Sequence, residues 1–289
     1  MEWKIKATQL HKEKAEWSKI YEVIINDYFP NIQNDKERTK VKDRIRSFIR
    51  RLPEYEAKHE AKQEVVGIIP DTHMPFCHPN FIHFLEDTFK EHRVTKIVHI
   101  GDLCDNHAIS RHPTETDASD PNTEYELAMK NVEIYTRAFP KVSLCLGNHD
   151  LIPQRQAASL GIPCQFVKSM KELWNLPKGW EVDEQYIINN VKYEHGINWG
   201  GKTGALNKAV AQMQSCVIGH YHSQGGCQYS SNAKSIVFGL ATGCGVDIDR
   251  YAFRYGKYNK NREVMGCGIV FSDSNALFVP MDDRYFRGK

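Results

Sequence analysis

The chain has 289 residues, 41% of them hydrophobic and 26% charged, with a formal net charge of +2. That suits a soluble globular protein able to bury a core in one large domain with a small appendage. No apolar run approaches the ~18–20 residues that span a bilayer. The opening MEWKIKATQLHKEK lacks the apolar stretch of a secretory signal, so the expected location is cytoplasmic. Eight scattered cysteines (Cys77, Cys104, Cys145, Cys164, Cys216, Cys227, Cys244, Cys267) form no CxxC pair. That spacing argues against a thiolate zinc site or a disulfide scaffold and for reduced thiols.

Charge is uneven. Between Lys36 and Arg51, eight basic residues stand against Glu37 and Asp43, leaving this stretch at +6 and the remainder at −4. Residues 1–62 contain no Gly, and Pro only at Pro30 and Pro53, and read as a basic helical domain of the helix-turn-helix kind. Helices are expected over Ala15–Phe29 and Asp35–Leu52, the second carrying Val41, Ile45, Phe48 and Ile49 at helical spacing beside a basic face. Residues 54–64 read as a solvated helical linker.

From residue 63 to 289 the pattern changes. Val65–Ile69 is a short apolar run ending at Asp71, as a buried strand would. A helix over Pro79–His92, a strand at Lys96–Ile100, a polar stretch 103–121, a helix over Glu124–Phe139 and a strand at Val142–Leu146 follow. The remainder is strand-rich, with Tyr186–Glu194, Cys216–Gly219, Ser235–Leu240, Gly268–Ser272 and Ala276–Val279. Strands alternating with helices and then mostly strands indicate an α/β layered sandwich.

Five polar clusters end or follow the predicted strands: Asp71-Thr-His73, Gly101-Asp102-Leu-Cys-Asp105, Gly147-Asn148-His149-Asp150, His195-Gly196 and Gly219-His220-Tyr221-His222. Loops at the carboxyl ends of strands in α/β sheets converge on ligands. Carboxylate, imidazole and amide donors without thiolate suit Mn²⁺, Fe²⁺ or Zn²⁺. One carboxylate can bridge two such ions about 3.5–4 Å apart, an arrangement that activates water for attack on a phosphoester.

In this order the motifs resemble the calcineurin-like metallophosphoesterase superfamily, over about residues 64–285. The resemblance implies an α/β four-layer sandwich, two mixed β-sheets flanked by helices, with a small N-terminal helical domain added here. It implies one metal site of Asp71, His73, Asp102 and His222, and a second of Asp102 (shared), Asn148, His195 and His220. Two divalent ions would fill them, Mn²⁺ first, with Fe, Zn or Ni as alternatives. A hydroxide between the ions would attack phosphorus in line, with His149 assisting the leaving oxygen and Asp105 orienting His149. A proton donor of this kind contributes roughly 10²–10⁴-fold.

The sequence departs from the phosphoprotein phosphatases, in which GDxxD continues with Arg-Gly. Here the continuation is Asn106-His107-Ala108-Ile109-Ser110-Arg111-His112, more like calcineurin-like proteins of phage and prophage genomes. Arg111 could supply the missing arginine or equally be a surface residue of a polar loop, and His107 and His112 read first as solvated loop residues, with substrate contact as the alternative. Asp150 is expected to support the site from behind, His99 to be a core histidine, Cys104 to pack, and Glu194 to point away. Tyr251–Arg262 interleaves aromatic and basic residues, a pattern that stacks bases or simply forms a loop. Lys40, Lys42, Arg44, Arg46, Arg50 and Arg51 present a face for DNA or RNA, or for another chain. The expected activity is a phosphodiesterase or nuclease on nucleic acid or nucleotides. The alternatives are a phosphomonoesterase of nucleotides, proteins or metabolites, or a silent nucleic-acid-binding module.

Overall fold

The computed structural model describes residues 2–13, 15–30, 32, 34–50, 64–111, 119–247 and 262–286. It divides into two compact units, Met1–Gln63 and Glu64–Lys289. The expected linker 54–63, Arg51, His112 and the tract Tyr251–Lys260 lie outside the described residues.

The first unit has three described helices, α1 (Glu2–Lys12), α2 (Trp17–Tyr28) and α3 (Asp35–Arg50), where the sequence suggested two. The additional α1 follows from Ala7 and Leu10, three residues apart, both buried against Ile20, Ile24, Ile45 and Ile49. Trp3 stands edge-on to Phe29 and Phe48 with ring centroids 6.2 and 5.3 Å apart. Ile45 and Ile49 turn inward, so Lys40, Lys42, Arg44 and Arg46 face outward. Two of those charges are partly engaged within the unit: the Arg44 guanidinium lies 5.7 Å from the Trp3 ring, and Arg46 Nε donates to Tyr21 Oη at 2.9 Å. Arg50 is the last residue of α3.

The second unit contains two mixed sheets. Strands β1 (Val66–Ile69), β2 (Lys96–His99), β3 (Val142–Cys145) and β4 (Trp180–Asp183) run parallel; β10 (Gly266–Ser272) pairs antiparallel with β1, and β11 (Asn275–Pro280) with β10. The other sheet has the order β5-β6-β7-β9-β8, with β6 (Val191–Glu194), β7 (Cys216–Ile218) and β9 (Ile236–Thr242) parallel. Its edges are β5 (Gln185–Ile188) and β8 (Gly225–Ser231), both antiparallel to their neighbours. The single strand expected over Tyr186–Glu194 is a hairpin. Asn189 and Asn190 take φ of 51° and 61°, the left-handed pair that a tight hairpin turn requires.

Alternation along the strands builds the layers. Val66, Ile68, Val98 and Val270 of one sheet meet Val191, Tyr193, Val217, Phe238 and Leu240 of the other in a single apolar core. Ile69, Leu144 and Ile269, on the opposite face, pack with Phe81, Phe84, Leu85 and Phe89 of α4 (Phe81–Glu91) and with Ala128, Val132 and Tyr135 of α5 (Pro121–Ala138). Helix α5 starts where Asp120 accepts hydrogen bonds from the Asn122 and Thr123 amides, with Pro121 in the first turn. Helix α6 (Ile152–Ser159) follows the GNHD motif, and α7 (Gly204–Gln212) covers the outer face of the second sheet through Ala205 and Ala209. The result is helix, sheet, sheet, helix.

Helix α7 lies so close to β9 that a methyl group on Gly239 would collide with the backbone of Ala205 and Leu206. Gly239→Ala is therefore expected to cost about 1–3 kcal/mol of stability, as overpacking does. Urea unfolding of the full chain checks it; an unchanged midpoint would show that the helix can retreat freely.

Candidate metal centre

The five motifs leave the carboxyl ends of β1, β2 and β3 in one sheet and of β6 and β7 in the other, and meet at one edge of the sandwich. Asp71, His73 and His222 form one group of donor atoms lying within 4.8 Å of one another, and Asp102, His195 and His220 form a second. Individual contacts are shorter. His222 Nε2 lies 3.1 Å from His73 Nε2 and 3.3 Å from Asp71 Oδ2. His195 Nε2 lies 3.0 Å from Asn148 Oδ1, 3.0 Å from Asp102 Oδ2 and 3.2 Å from His220 Nδ1. Asp102 Oδ2 is also 3.5 Å from His73 Nε2, so this single oxygen faces both groups.

These donors fit divalent cations. Ligands about 2.0–2.1 Å from one ion, at roughly right angles, sit about 3 Å apart, close to the spacing seen. Asp71 Oδ1 is buried without a hydrogen-bond partner, an arrangement costly for a carboxylate unless a cation is near. The histidine tautomers agree. His73 Nδ1 lies 2.6 Å from Asp105 Oδ1 and His195 Nδ1 3.3 Å from the Ile100 carbonyl, so each ring is held through Nδ1 and presents Nε2 inward.

Burial opposes ionisation of Asp71 and Asp102, yet His195, with His222 at Asp71 and His73 at Asp102, keeps both carboxyls below their ordinary range. Burial pushes His73 down, aided by His149, and pushes His220 down, aided by His195, so both rings favour the neutral form that ligates metals. His195 differs: burial lowers it, but Asp102 and Asp71 outweigh that and raise it to about 9. Those carboxylates favour a positive charge at Nε2, whether a proton or a metal ion.

Main-chain geometry explains the glycines. A side chain on Gly147 would collide with Asp102, and one on Gly219 with Asp71. The closeness lets the His149 amide donate to Asp102 Oδ1 and the His220 amide to Asp71 Oδ2, both at 2.8 Å. His73, Asp102 and His220 take φ of 44°, 50° and 66°, left-handed values that L-residues adopt at a cost. Asp150 accepts from three amides, Asp102 at 2.8 Å, Leu103 at 3.0 Å and Gly147 at 2.8 Å. It joins the ends of β2 and β3 and adds to the negative field that raises His195.

His149 is half-buried at the rim. Its Nδ1 lies 2.7 Å from the Asp105 carbonyl and 3.2 Å from Asp105 Oδ1. Burial disfavours the imidazolium, but Asp105 and Asp102 prevail and push His149 up to about 10. These carboxylates favour its charged form, and with Nδ1 engaged, Nε2 is the atom it can offer outward. Asp105 thus serves two histidines, His73 and His149, where the sequence suggested one.

His107 is buried in a 3₁₀ turn (His107–Ile109), which corrects the reading of it as a solvated loop residue. Glu124 on α5 holds that turn by accepting from the Ala108 amide at 2.9 Å. Arg111 is exposed and lines a cavity beside His149. His99 is fully buried, its Nε2 3.1 Å from Thr72 Oγ1, and Cys104 is buried in the core. Glu194 turns from the cluster to ion-pair with Lys192 at 2.7 Å and with Lys208. Arg155 and Gln156 of α6 also line the cavity and were not singled out by sequence. The available signal was Pro153, a first-turn proline marking a helix directly after the GNHD motif.

A buried cluster of carboxylates and imidazoles with a charged histidine at its rim, set at the loop edge of a double-sheet sandwich, defines a metal-dependent phosphoesterase. The chain belongs to the calcineurin-like phosphoesterase family, whose model matches residues 65–224, a span holding all five motifs. Solved structures similar to it include vacuolar protein sorting 29 from Cryptosporidium parvum, 12% identical, with 76% of this chain and 92% of that one covered and a TM-score of 0.42. Another is Yfce, a phosphoesterase from E. coli, 12% identical, with 75% and 98% covered and a TM-score of 0.36. A third is the nuclease MPE from Pseudomonas putida, 11% identical, with 77% and 89% covered and a TM-score of 0.33. The sequence has no significant match among curated proteins. Among the described residues, no helix is long and apolar enough to cross a membrane.

Asp150→Asn keeps the shape but replaces one accepting oxygen with an amide that opposes a buried N–H. An expected loss of roughly 1–3 kcal/mol follows, together with weaker Mn²⁺ binding, since the amides of Asp102, Leu103 and Gly147 fix the loops that bear the donor cluster. Thermal unfolding with and without Mn²⁺ measures both. Wild-type values in the variant would mean that the turn does not depend on this carboxylate.

Proposed function

We propose that this phosphoesterase is a phosphodiesterase or nuclease acting on nucleic acid or nucleotides with two divalent ions, Mn²⁺ foremost. The observation that carries the dinuclear reading is the position of Asp102 Oδ2, 3.0 Å from His195 Nε2 and 3.5 Å from His73 Nε2. Asp71, His73 and His222 would hold one ion with Asp102; Asn148, His195 and His220 would hold the other with Asp102. When bound, the two ions supply Lewis acidity at the phosphoryl oxygens and make hydroxide available near neutral pH.

The chain's own residues do the remaining work. Asp71 and Asp102 bring −2 to a centre that would hold +4, and the excess positive charge draws a phosphate in. Asp105 holds the proton on His149 and fixes its ring through Nδ1, leaving Nε2 to protonate the departing oxygen. Asn148 and His149 are adjacent on one loop, so a phosphorus held at the Asn148 side has the proton donor beside it. Substrate choice is tilted towards nucleic acid by the outward basic face of α3, with Lys40, Lys42, Arg44 and Arg46; Arg50 and Arg51 extend that basic run in sequence. In a phage-encoded chain the enzyme would work in the host cytoplasm.

The test compares Mn²⁺-dependent hydrolysis of a chromogenic phosphodiester and the matching monoester by wild type, His149→Ala and Asn148→Ala. The expected results are diester preference, a kcat loss of roughly 10²–10⁴-fold for His149→Ala, and a higher Mn²⁺ requirement for Asn148→Ala. Monoester preference would instead make the enzyme a phosphatase and the basic helix a docking element.

For the N-terminal unit, removal of residues 1–62 should weaken binding to DNA or RNA and flatten its salt dependence, because each lost phosphate contact reduces the slope by about 0.7–0.9. Binding measured at several salt concentrations reads this directly, and an unchanged slope sinks the idea.

A further inference from the structure

A cavity of about 480 Å³ opens beside His149, outside the cluster of donor atoms described above. Its volume falls within the roughly 300–1,000 Å³ of small-molecule sites. Asn148 and His149 line it next to the metal centre, together with Ser110 and Arg111 and with Arg155 and Gln156 of α6. The last two segments are fastened together, since Gln156 Nε2 donates to the Ile109 carbonyl at 2.6 Å. Arg155 Nη1 reaches the Asn148 carbonyl at 3.4 Å, a long contact that steers the guanidinium towards the GNHD loop while committing one of its five N–H donors.

Among the described residues, the lining carries Arg111, Arg155 and His149 and no carboxylate. Two guanidinium groups in a half-open cavity favour an anion with several oxygens, which their planar forks bind in pairs. The cavity shares His149 with the reaction proposed above, and His149 serves the leaving oxygen. On that reading, an anion in the cavity would be carried by the leaving group.

We propose that Arg155 and Arg111 form a subsite for a second phosphate, carried by the leaving group of the substrate. The inference rests on the phosphodiesterase reading for its direction, and Arg155 is the specificity residue it adds. A second phosphate arises there in two ways: as the neighbouring phosphate of a polynucleotide strand, or within the polyphosphate of a pyrophosphate-linked dinucleotide. An ester whose leaving group carries no charge would offer the two arginines no anion to bind.

The full chain with Mn²⁺ is assayed on thymidylyl-thymidine, on the same dinucleotide bearing a further phosphate at its 5′ or its 3′ end, on a symmetric dinucleoside tetraphosphate, and on bis(p-nitrophenyl) phosphate. One phosphorylated dinucleotide, or the tetraphosphate, should exceed thymidylyl-thymidine in kcat/KM by roughly 10- to 100-fold, the worth of one or two charge-assisted hydrogen bonds. Which of them does so distinguishes strand from pyrophosphate-linked substrate. Arg155→Ala should remove most of that ratio, reducing turnover of the preferred substrate far more than that of the aryl diester, and Arg155→Lys should restore part of it.

A parallel titration of thymidine 3′,5′-bisphosphate against thymidine monophosphate should show tighter binding of the bisphosphate by wild type and near-equal binding by Arg155→Ala. Absence of any preference for a second phosphate, or an undiminished preference in Arg155→Ala, overturns the subsite while leaving the phosphodiesterase reading intact. If no diester is hydrolysed, that reading fails, and the titration decides the subsite on its own: equal affinity of wild type for both nucleotides rejects it.

Discussion

The structure of this site depends on buried carboxylates that accept hydrogen bonds from main-chain amides of neighbouring loops. Asp71, at the end of β1, takes the amide of His220 from the second sheet; Asp102, after β2, takes the amide of His149 after β3. Asp150 then takes the amides of Asp102, Leu103 and Gly147. At Asp71 and Asp102 these bonds help to satisfy a buried charge, whereas burial and the neighbouring Asp102 push Asp150 up to about 7; all of them fix the loop supplying the next donor. The glycines at positions 147 and 219 follow from this requirement, because a side chain at either would push the amide away from its carboxylate.

The same constraint organises the charges. Asp71, Asp102 and Asp105 are concentrated where burial alone would neutralise them, and they remain ionised because histidines stand against them. The histidines divide into two populations. His73 and His220 lean towards the neutral form, whereas His195 and His149 lean towards the charged form because carboxylates outweigh their burial. For His195 the favoured charge points into the cluster. His149 carries it at the rim, within reach of a substrate. Position within one electrostatic field therefore separates a candidate ligand from a candidate proton donor of the same residue type.

Much of this was legible in the sequence because it is written locally. An apolar run followed at once by a polar cluster marks a strand and the loop at its carboxyl end, and five such junctions placed the residues that the fold brings together. What was not legible depends on partners distant in sequence. The hairpin at Asn189–Asn190 looked like one strand because Tyr186–Glu194 is uniformly strand-forming, and only the paired left-handed asparagines break it. Strand β8 has little apolar character, with Gly225, Gly226, Gln228 and Ser230, and exists because β9 offers it an edge. The burial of His107 comes from α5 closing over its turn through Glu124, and Asp105 serving two rings could not be read from spacing. Arg155 was invisible for the same reason, since the cavity it lines is completed by Ser110 and Arg111, distant in sequence.

The donor groups come from segments between Asp71 and His222, carried by both sheets, so no contiguous piece of chain holds a complete set. A cation bound across them is consequently a cross-link between the two halves of the sandwich. Its binding energy would be added to the cohesion of the whole second unit. With a cation bound, the apolar core between the sheets and the cation at their edge would act as successive clasps on one seam, and metal supply would bear on how long the folded enzyme survives as well as on whether it turns over.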